Sequence, residues 1–294
     1  MSWLTIESDP AVFSALISDL GVRDVVVEEV FSIDAESLDA ITPAYGFIFL
    51  FKYQRDSAQS KSAGTPSDNE SIWFAHQIIQ NACGTQAILA ILLNQPDIVL
   101  GPELSSFKEF TVQFPADLRG ETMTNSDLLR TVHNSFSRSE MFHQENDPLD
   151  GESGEAPHHF VAYSRIDGRL YELDGLRPSP IDHGPCPAQM GTKLQEVIGE
   201  RVARYAADEV HFNLLALTRD PLAADGAHLS DHERTMALQN RDTRDREVEL
   251  RRHNFATAIL EMTRQLLKNK SRVELDGIIH NARATNKRKR ELRP

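Results

Sequence analysis

The stretch from Ala82 to Leu93 constrains the fold more than any other part of the chain. Its apolar residues Ala87, Ile88, Ala90, Ile91, Leu92 and Leu93 lie almost all round a helix. Such a helix has no face to give to water, so it has to run through the middle of a core with the rest of the chain wrapped around it. Cys83 falls in its first turn, next to Asn81, which reads as the N-cap. Unpaired backbone N–H groups and the positive end of the helix dipole favour a thiolate at that position. Most free cysteines are small buried hydrophobes, however, so Cys83 takes its meaning from groups elsewhere in the chain.

Those groups lie in HHFVAYSRIDGRLYELDG. The segment reads as two β-strands, His158 to Ile166 and Arg169 to Asp174, joined by a tight turn at Asp167-Gly168. A hairpin brings its strand ends together, so His159 and Asp174 can meet. A carboxylate would then bond one imidazole nitrogen and leave the other for a thiol. His158 is the local competitor for the base, and neighbouring strand residues face opposite sides. Six positions before Cys83, Gln77 supplies a neutral amide donor. Thiol, imidazole, carboxylate and amide together are the toolkit of a papain-like thiol hydrolase.

Punctuation supplies the rest of the organisation. Asp9-Pro10 starts a helix that ends at Gly21. Val25 to Val30, Phe47 to Lys52 and Val210 to Leu217 are β-rich runs, and Asp56 to Ser71 is a polar surface loop. The expected class is α+β, with helices packed on an antiparallel sheet and a C-terminal helical extension. Phe142 to Pro157 carries five acidic residues and almost no large apolar one, so it has to be an exposed loop just before the strand of His159.

The Gln77-to-Cys83 segment with NACGTQA, the HFVAY and LYELDGL strands and the opening WLTIESDPAVFSALISDLGV resemble the ubiquitin C-terminal hydrolases. That resemblance implies Cys83 as nucleophile, His159 as general base and acid, Asp174 as the group that orients His159, and Gln77 as the side-chain donor to the oxyanion. It implies a deubiquitinating cysteine protease acting after the C-terminal glycine of ubiquitin, with ubiquitin and its conjugates as partners and no metal or organic cofactor. Loop 142–157 would be the crossover loop beneath which a leaving group passes.

Charge divides the chain. Residues 1–224 hold 33 acidic and 15 basic side chains, whereas residues 225–294 hold 11 and 16. An acidic body argues against direct nucleic-acid binding and for a basic partner, although acidity also serves solubility. The ubiquitin tail, arginine-bearing and ending in two glycines, is the partner that the resemblance supplies. Two cysteines, Cys83 and Cys186, cannot build a disulfide framework, and a reactive thiol fits a reducing compartment. No leader and no run of about 20 apolar residues stands out, so neither secretion nor a membrane span is expected.

The expected domains are a catalytic one over 1–225 and a helical docking extension over 226–294. Asp231 to Lys270 is helix-prone, with a stripe at Phe255, Ile259, Met262, Leu266 and Leu267, and a second helix is expected over Arg272 to Ala284. RRHNFATAILEMTRQLLKNK is similar to the extension of the long, proteasome-associated members of the family. This implies docking on a ubiquitin-receptor subunit of the proteasome, with a chromatin-remodelling complex as a further partner. Lys287 to Arg290 reads as a nuclear localisation signal or part of the docking tail, which makes the expected location cytoplasmic and nuclear. The alternative is an inactive or weakly active ubiquitin-binding adaptor, and the complete set Cys83, His159, Asp174 and Gln77 argues against it.

Overall fold

The computed structural model describes residues 2–41, 43–52, 63–137, 158–203, 212–223, 229–253, 255–268 and 270–291. Loop 142–157, residues 56–62 of the polar loop Asp56 to Ser71 and the start of the run at Val210 lie outside the described residues. The chain divides into two compact units, the larger ending at Arg252 and the smaller containing the last two helices.

The larger unit opens with α1 (Pro10–Asp19), whose N-cap Asp9 accepts hydrogen bonds from the N–H groups of Ala11 (2.9 Å) and Val12 (3.2 Å). Pro10 at the first helical position forfeits no bond there. Past the helix end Gly21 takes a φ of 88°, which stops α1 where the sequence placed its end. Next come β1 (Val25–Glu29), α2 (Ala35–Ala40), β2 (Ala44–Lys52), the short β3 (Thr65–Pro66) and α3 (Cys83–Leu92). Three helices follow, α4 (Pro102–Thr111), α5 (Ala116–Asn125) and α6 (Asp127–Asn134). Beyond the undescribed loop lie β4 (His158–Ile166), β5 (Arg169–Leu173), β6 (Ile181–Pro185), α7 (Gly191–Val202), β7 (Asn213–Arg219) and α8 (Asp231–Arg252).

The strands form one sheet in the order β1-β7-β2-β4-β5-β6-β3, with every pairing antiparallel. Helices pack on the antiparallel sheet, as the α+β reading expected, and they cover both of its faces. On one face Ile48, Ala162, Leu215 and Leu217 pack with residues of α1 and α3. On the other, Phe47, Phe49, Val161 and Tyr163 pack with Leu38 of α2 and with Leu194, Val197 and Ile198 of α7. Every residue of α3 is buried. Burying each of its Ile and Leu side chains contributes about 1.5–3 kcal/mol, which makes α3 the centre around which the unit condenses. The helix comes so close to the sheet that a Cβ on Gly46 would lie 2.8 Å from the Tyr163 carbonyl oxygen and 3.0 Å from Ile91.

The run Asp231 to Lys270 is two helices. α8 ends at Arg252 and packs against α1, with Val248 in the core. Its arginines find carboxylates on the acidic body: Arg251 lies 2.9 Å from Asp9, Arg241 lies 2.7 Å from Asp220, and Arg252 pairs with Asp19. The Arg252 guanidinium also sits 4.0 Å above the Phe136 ring. The charge change near residue 225 thus precedes a helix that packs with the body. In the smaller unit α9 spans Ala256–Leu267 and α10 spans Arg272–Glu291, the latter running past the expected end at Ala284.

Candidate active site

Cys83 is the first residue of α3 and is 9% exposed. The N-cap is Ala82, not Asn81, because a 3-10 turn over Gln80–Ala82 leads into the helix. The Asn81 amide instead donates to the Trp3 carbonyl at 3.2 Å, tying the N-terminal segment to the helix start. Ala82 has no side chain with which to cap the first N–H groups of α3. The positive end of that helix is therefore left for the chemistry around the thiol.

The hairpin forms as the sequence indicated, with Asp167 (φ 48°) and Gly168 (φ 79°) both in the left-handed region that a tight two-residue turn demands. Ala162 pairs with Leu173, so continuing the register sets Asp174 opposite Val161. His159 is two residues further along the same face, a diagonal neighbour within reach of a carboxylate. Its Nε2 lies 2.7 Å from Asp174 Oδ1. That oxygen also accepts the Leu176 N–H at 3.0 Å, and Arg177 Nε stands 3.7 Å from Oδ2. His159 is buried and His158 exposed, paired across the sheet with Lys52, so the choice between the two histidines falls to strand alternation.

Burial alone would push the His159 imidazole down, but hydrogen bonds to Asp174 and Cys83, with their charges, outweigh it and push it up to about 9. Burial would likewise raise Asp174, and the hydrogen bond and charge of His159, the Leu176 N–H and the charge of Arg201 bring it below the usual carboxylate value. Both directions favour an imidazolium facing a carboxylate. Since Nε2 is engaged by Asp174, Nδ1 is the nitrogen left for the Cys83 thiol.

Gln77 lies on an extended segment beside the Asp174 turn, and its backbone N–H donates to the Gly175 carbonyl at 2.8 Å. The preceding His76 bonds Asp117 of α5 and lies 3.0 Å from the Pro178 carbonyl, so the segment is held from two sides. All four residues singled out from the sequence thus sit on elements that converge at the start of α3. Cys186, the other thiol, is 4% exposed and lies just past β6, where burial pushes it up.

Sequence reasoning missed the support beneath this site. Arg201 of α7 is buried, lies 3.0 Å from Glu172, donates to the Tyr163 hydroxyl at 2.6 Å and stacks 4.4 Å over the Phe51 ring. Phe51 in turn meets His159 edge-on at 5.8 Å. A signal existed, because Arg201 falls on the buried stripe Leu194, Val197 and Ile198 of its helix, where a charge is costly unless paired.

A thiol at a helix start, an imidazole and a buried carboxylate in line define a cysteine hydrolase. Residues 3–203 match the model of the family described as ubiquitin carboxyl-terminal hydrolase, family 1. Ubiquitin carboxyl-terminal hydrolase 2 of Schizosaccharomyces pombe is 42% identical over 280 residues, 92% of each chain. Ubiquitin carboxyl-terminal hydrolase ubh-4 of Caenorhabditis elegans is 37% identical over 99% of this chain and 94% of its own. Among solved structures, Trichinella spiralis UCH37 bound to ubiquitin vinyl methyl ester superposes with a TM-score of 0.65 at 32% identity, covering 83% of this chain and 98% of that one. Its catalytic domain in the same bound form gives 0.64 at 36% identity, covering 75% and 97%. The chain belongs to the ubiquitin C-terminal hydrolases and is a thiol-dependent deubiquitinase that binds ubiquitin.

Proposed function

We propose that Cys83, its thiol proton already passed to His159 Nδ1, attacks the carbonyl carbon of the terminal glycine of ubiquitin as the thiolate. The Cys83 backbone N–H and the Gln77 amide donate to the oxyanion that forms. The C–N bond then breaks, the leaving amine carries away the proton held by His159, and a thioester remains on Cys83. Water, deprotonated by His159, resolves that thioester and frees the ubiquitin carboxylate and the thiol. Asp174 holds the imidazole in the orientation and charge state these transfers need. The observation that carries the assignment is the 2.7 Å contact of His159 with Asp174, together with the hydrogen bond of the same ring to Cys83.

The recruitment part of the proposal is that the chain docks on a ubiquitin-receptor subunit of the proteasome through the segment 226–294 and is activated there, with a chromatin-remodelling complex as a further partner. Cytoplasm and nucleus are the corresponding compartments. What supports docking is α9, whose apolar residues Ile259, Met262 and Leu266 are exposed. Within the segment α8 acts as part of the catalytic body, and α9 with α10 carries the docking face. The test compares the full chain with a chain ending at Arg252 for ubiquitin-fluorophore turnover and for co-purification with proteasomes. Turnover is expected to persist and co-purification to disappear. Retained co-purification would overturn the docking role.

A further inference from the structure

The oxyanion donor Gln77 rides on a backbone segment that belongs to no helix or strand, so something other than a ladder has to fix it. From Ile72 to Gln77 the polar backbone groups are taken up largely by side chains. Asn94, just past the end of α3, bonds both the N–H and the carbonyl of Trp73, each at 2.8 Å. Arg119 of α5 donates from Nη1 to the carbonyls of Ile72 (3.0 Å) and Phe74 (3.3 Å). Gln86 of α3 donates from Nε2 to the Ala75 carbonyl at 2.6 Å.

Gln86 differs from the other two supports in what else it touches. It lies three residues after Cys83 on the same helix and is buried. A Cβ on Gly175, the residue after Asp174, would come within 2.1 Å of Gln86 Nε2 and 3.0 Å of Gln77 Cβ. The amide therefore stands where three parts meet: the helix of Cys83, the segment of Gln77 and the turn of Asp174. Its Oε1 is buried with no hydrogen-bond partner among the described residues. A buried acceptor without a partner is costly. An apolar side chain would remove that cost but would leave the Ala75 carbonyl unpaired, so what the amide contributes at this position is its bond to the Gln77 segment.

We infer that Gln86 is a positioning residue for the oxyanion donor, holding the Gln77 segment and the Gly175 turn in register with the first turn of α3. The inference rests on the proposed oxyanion role of Gln77. A displacement of about 1 Å in a catalytic group costs on the order of 10²-fold in rate, so loss of one fixed bond next to Gln77 reaches turnover without touching the thiol.

The experiment uses the full chain with ubiquitin-fluorophore substrate, and Gln86→Met, Gln77→Ala and the double variant. Gln86→Met is expected to lower kcat by roughly ten- to a hundredfold, with KM little changed. Alkylation of Cys83 by iodoacetamide needs no oxyanion donor, so its rate and pH dependence are expected to match those of the unaltered chain. The two substitutions are expected to combine to no more than the larger single effect, because both remove one function. Fully multiplicative effects, an equal fall in alkylation, or unchanged kcat in Gln86→Met would each overturn the inference. If Gln77→Ala itself leaves kcat unchanged, the oxyanion role has failed instead. Gly175→Ala, which drives a methyl group into the Gln86 amide, is a second route that does not depend on how Gln86→Met folds, and it is expected to lower kcat while sparing alkylation. Unaltered kcat in Gly175→Ala would also count against the inference.

Discussion

Two helices rich in apolar residues end in opposite surroundings. All ten residues of α3 are buried, whereas none of the described side chains of α9 is, with Ile259 54% and Leu266 74% exposed. The difference lies in pattern more than in apolar content. α3 is apolar all round and has to be enclosed, so it serves as the rigid base on which Cys83 is mounted. α9 sets Glu261 and Arg264 among its apolar residues and offers one face only, which suits a surface that meets something else. α8 is intermediate, mostly charged yet joined to the body through Val248 and a few arginines.

The sharpest way to break this contrast is at the start of α3. Cys83→Ala is expected to abolish turnover while ubiquitin binding, measured by calorimetry, persists. His159→Ala is expected to lower kcat by about 10²- to 10⁴-fold, as loss of a general base does. Turnover surviving in Cys83→Ala would mean that the wrong thiol has been named. Gln77→Ala comes next, with an expected loss on the order of 10²-fold in kcat. An effect confined to KM would remove Gln77 from the oxyanion.

The buried pair also makes stability depend on pH. His159 is raised from 6.5 to about 9, so its contribution is complete below pH 6.5 and fades as pH rises through about 9. Asp174 is lowered from 3.8, so its contribution is complete above pH 3.8 and is lost as pH falls. The pair therefore stabilises the fold fully between pH 3.8 and 6.5. The melting-temperature gap between the unaltered chain and His159→Gln should narrow from pH 6.5 to 9, and a constant gap over that range would contradict the imidazolium–carboxylate pair.

Truncation sharpens the contrast at the other end. Ending the chain at Arg252 is expected to leave the melting temperature of the body unchanged. Ending it at Ser230 removes Val248 from the core, a loss of about 1.5–3 kcal/mol, or a fall of several degrees. The surface ion pairs of Arg241 and Arg251 add little to that figure. Equal melting temperatures for the two truncations would place α8 outside the body. The smallest effects are expected for His158→Ala and Cys186→Ala, each within a few-fold in turnover. The first side chain is exposed, and the second is a buried thiol that burial keeps protonated.

Patterns short enough to be read locally were legible from the residues alone. Asp9-Pro10 and Gly21 bracket α1, Asp167-Gly168 closes the hairpin, and the apolar run places Cys83 on a central helix, because caps, positive φ and helical periodicity are properties of a few neighbouring residues. Strand alternation set His159 and His158 on opposite faces, and the family resemblance chose His159. The local signal failed at Asn81, since a 3-10 turn moves the N-cap to Ala82, and at the single run Asp231 to Lys270, which is two helices. Only the tertiary structure decided that Gln86, Asn94 and Arg119 hold the Gln77 segment, that Arg201 backs His159 through Phe51, and that α8 belongs with α1. Each of these depends on partners far apart in the chain. The worth of a buried amide or guanidinium is set by the groups that close around it, and those groups are specified only once the chain has folded.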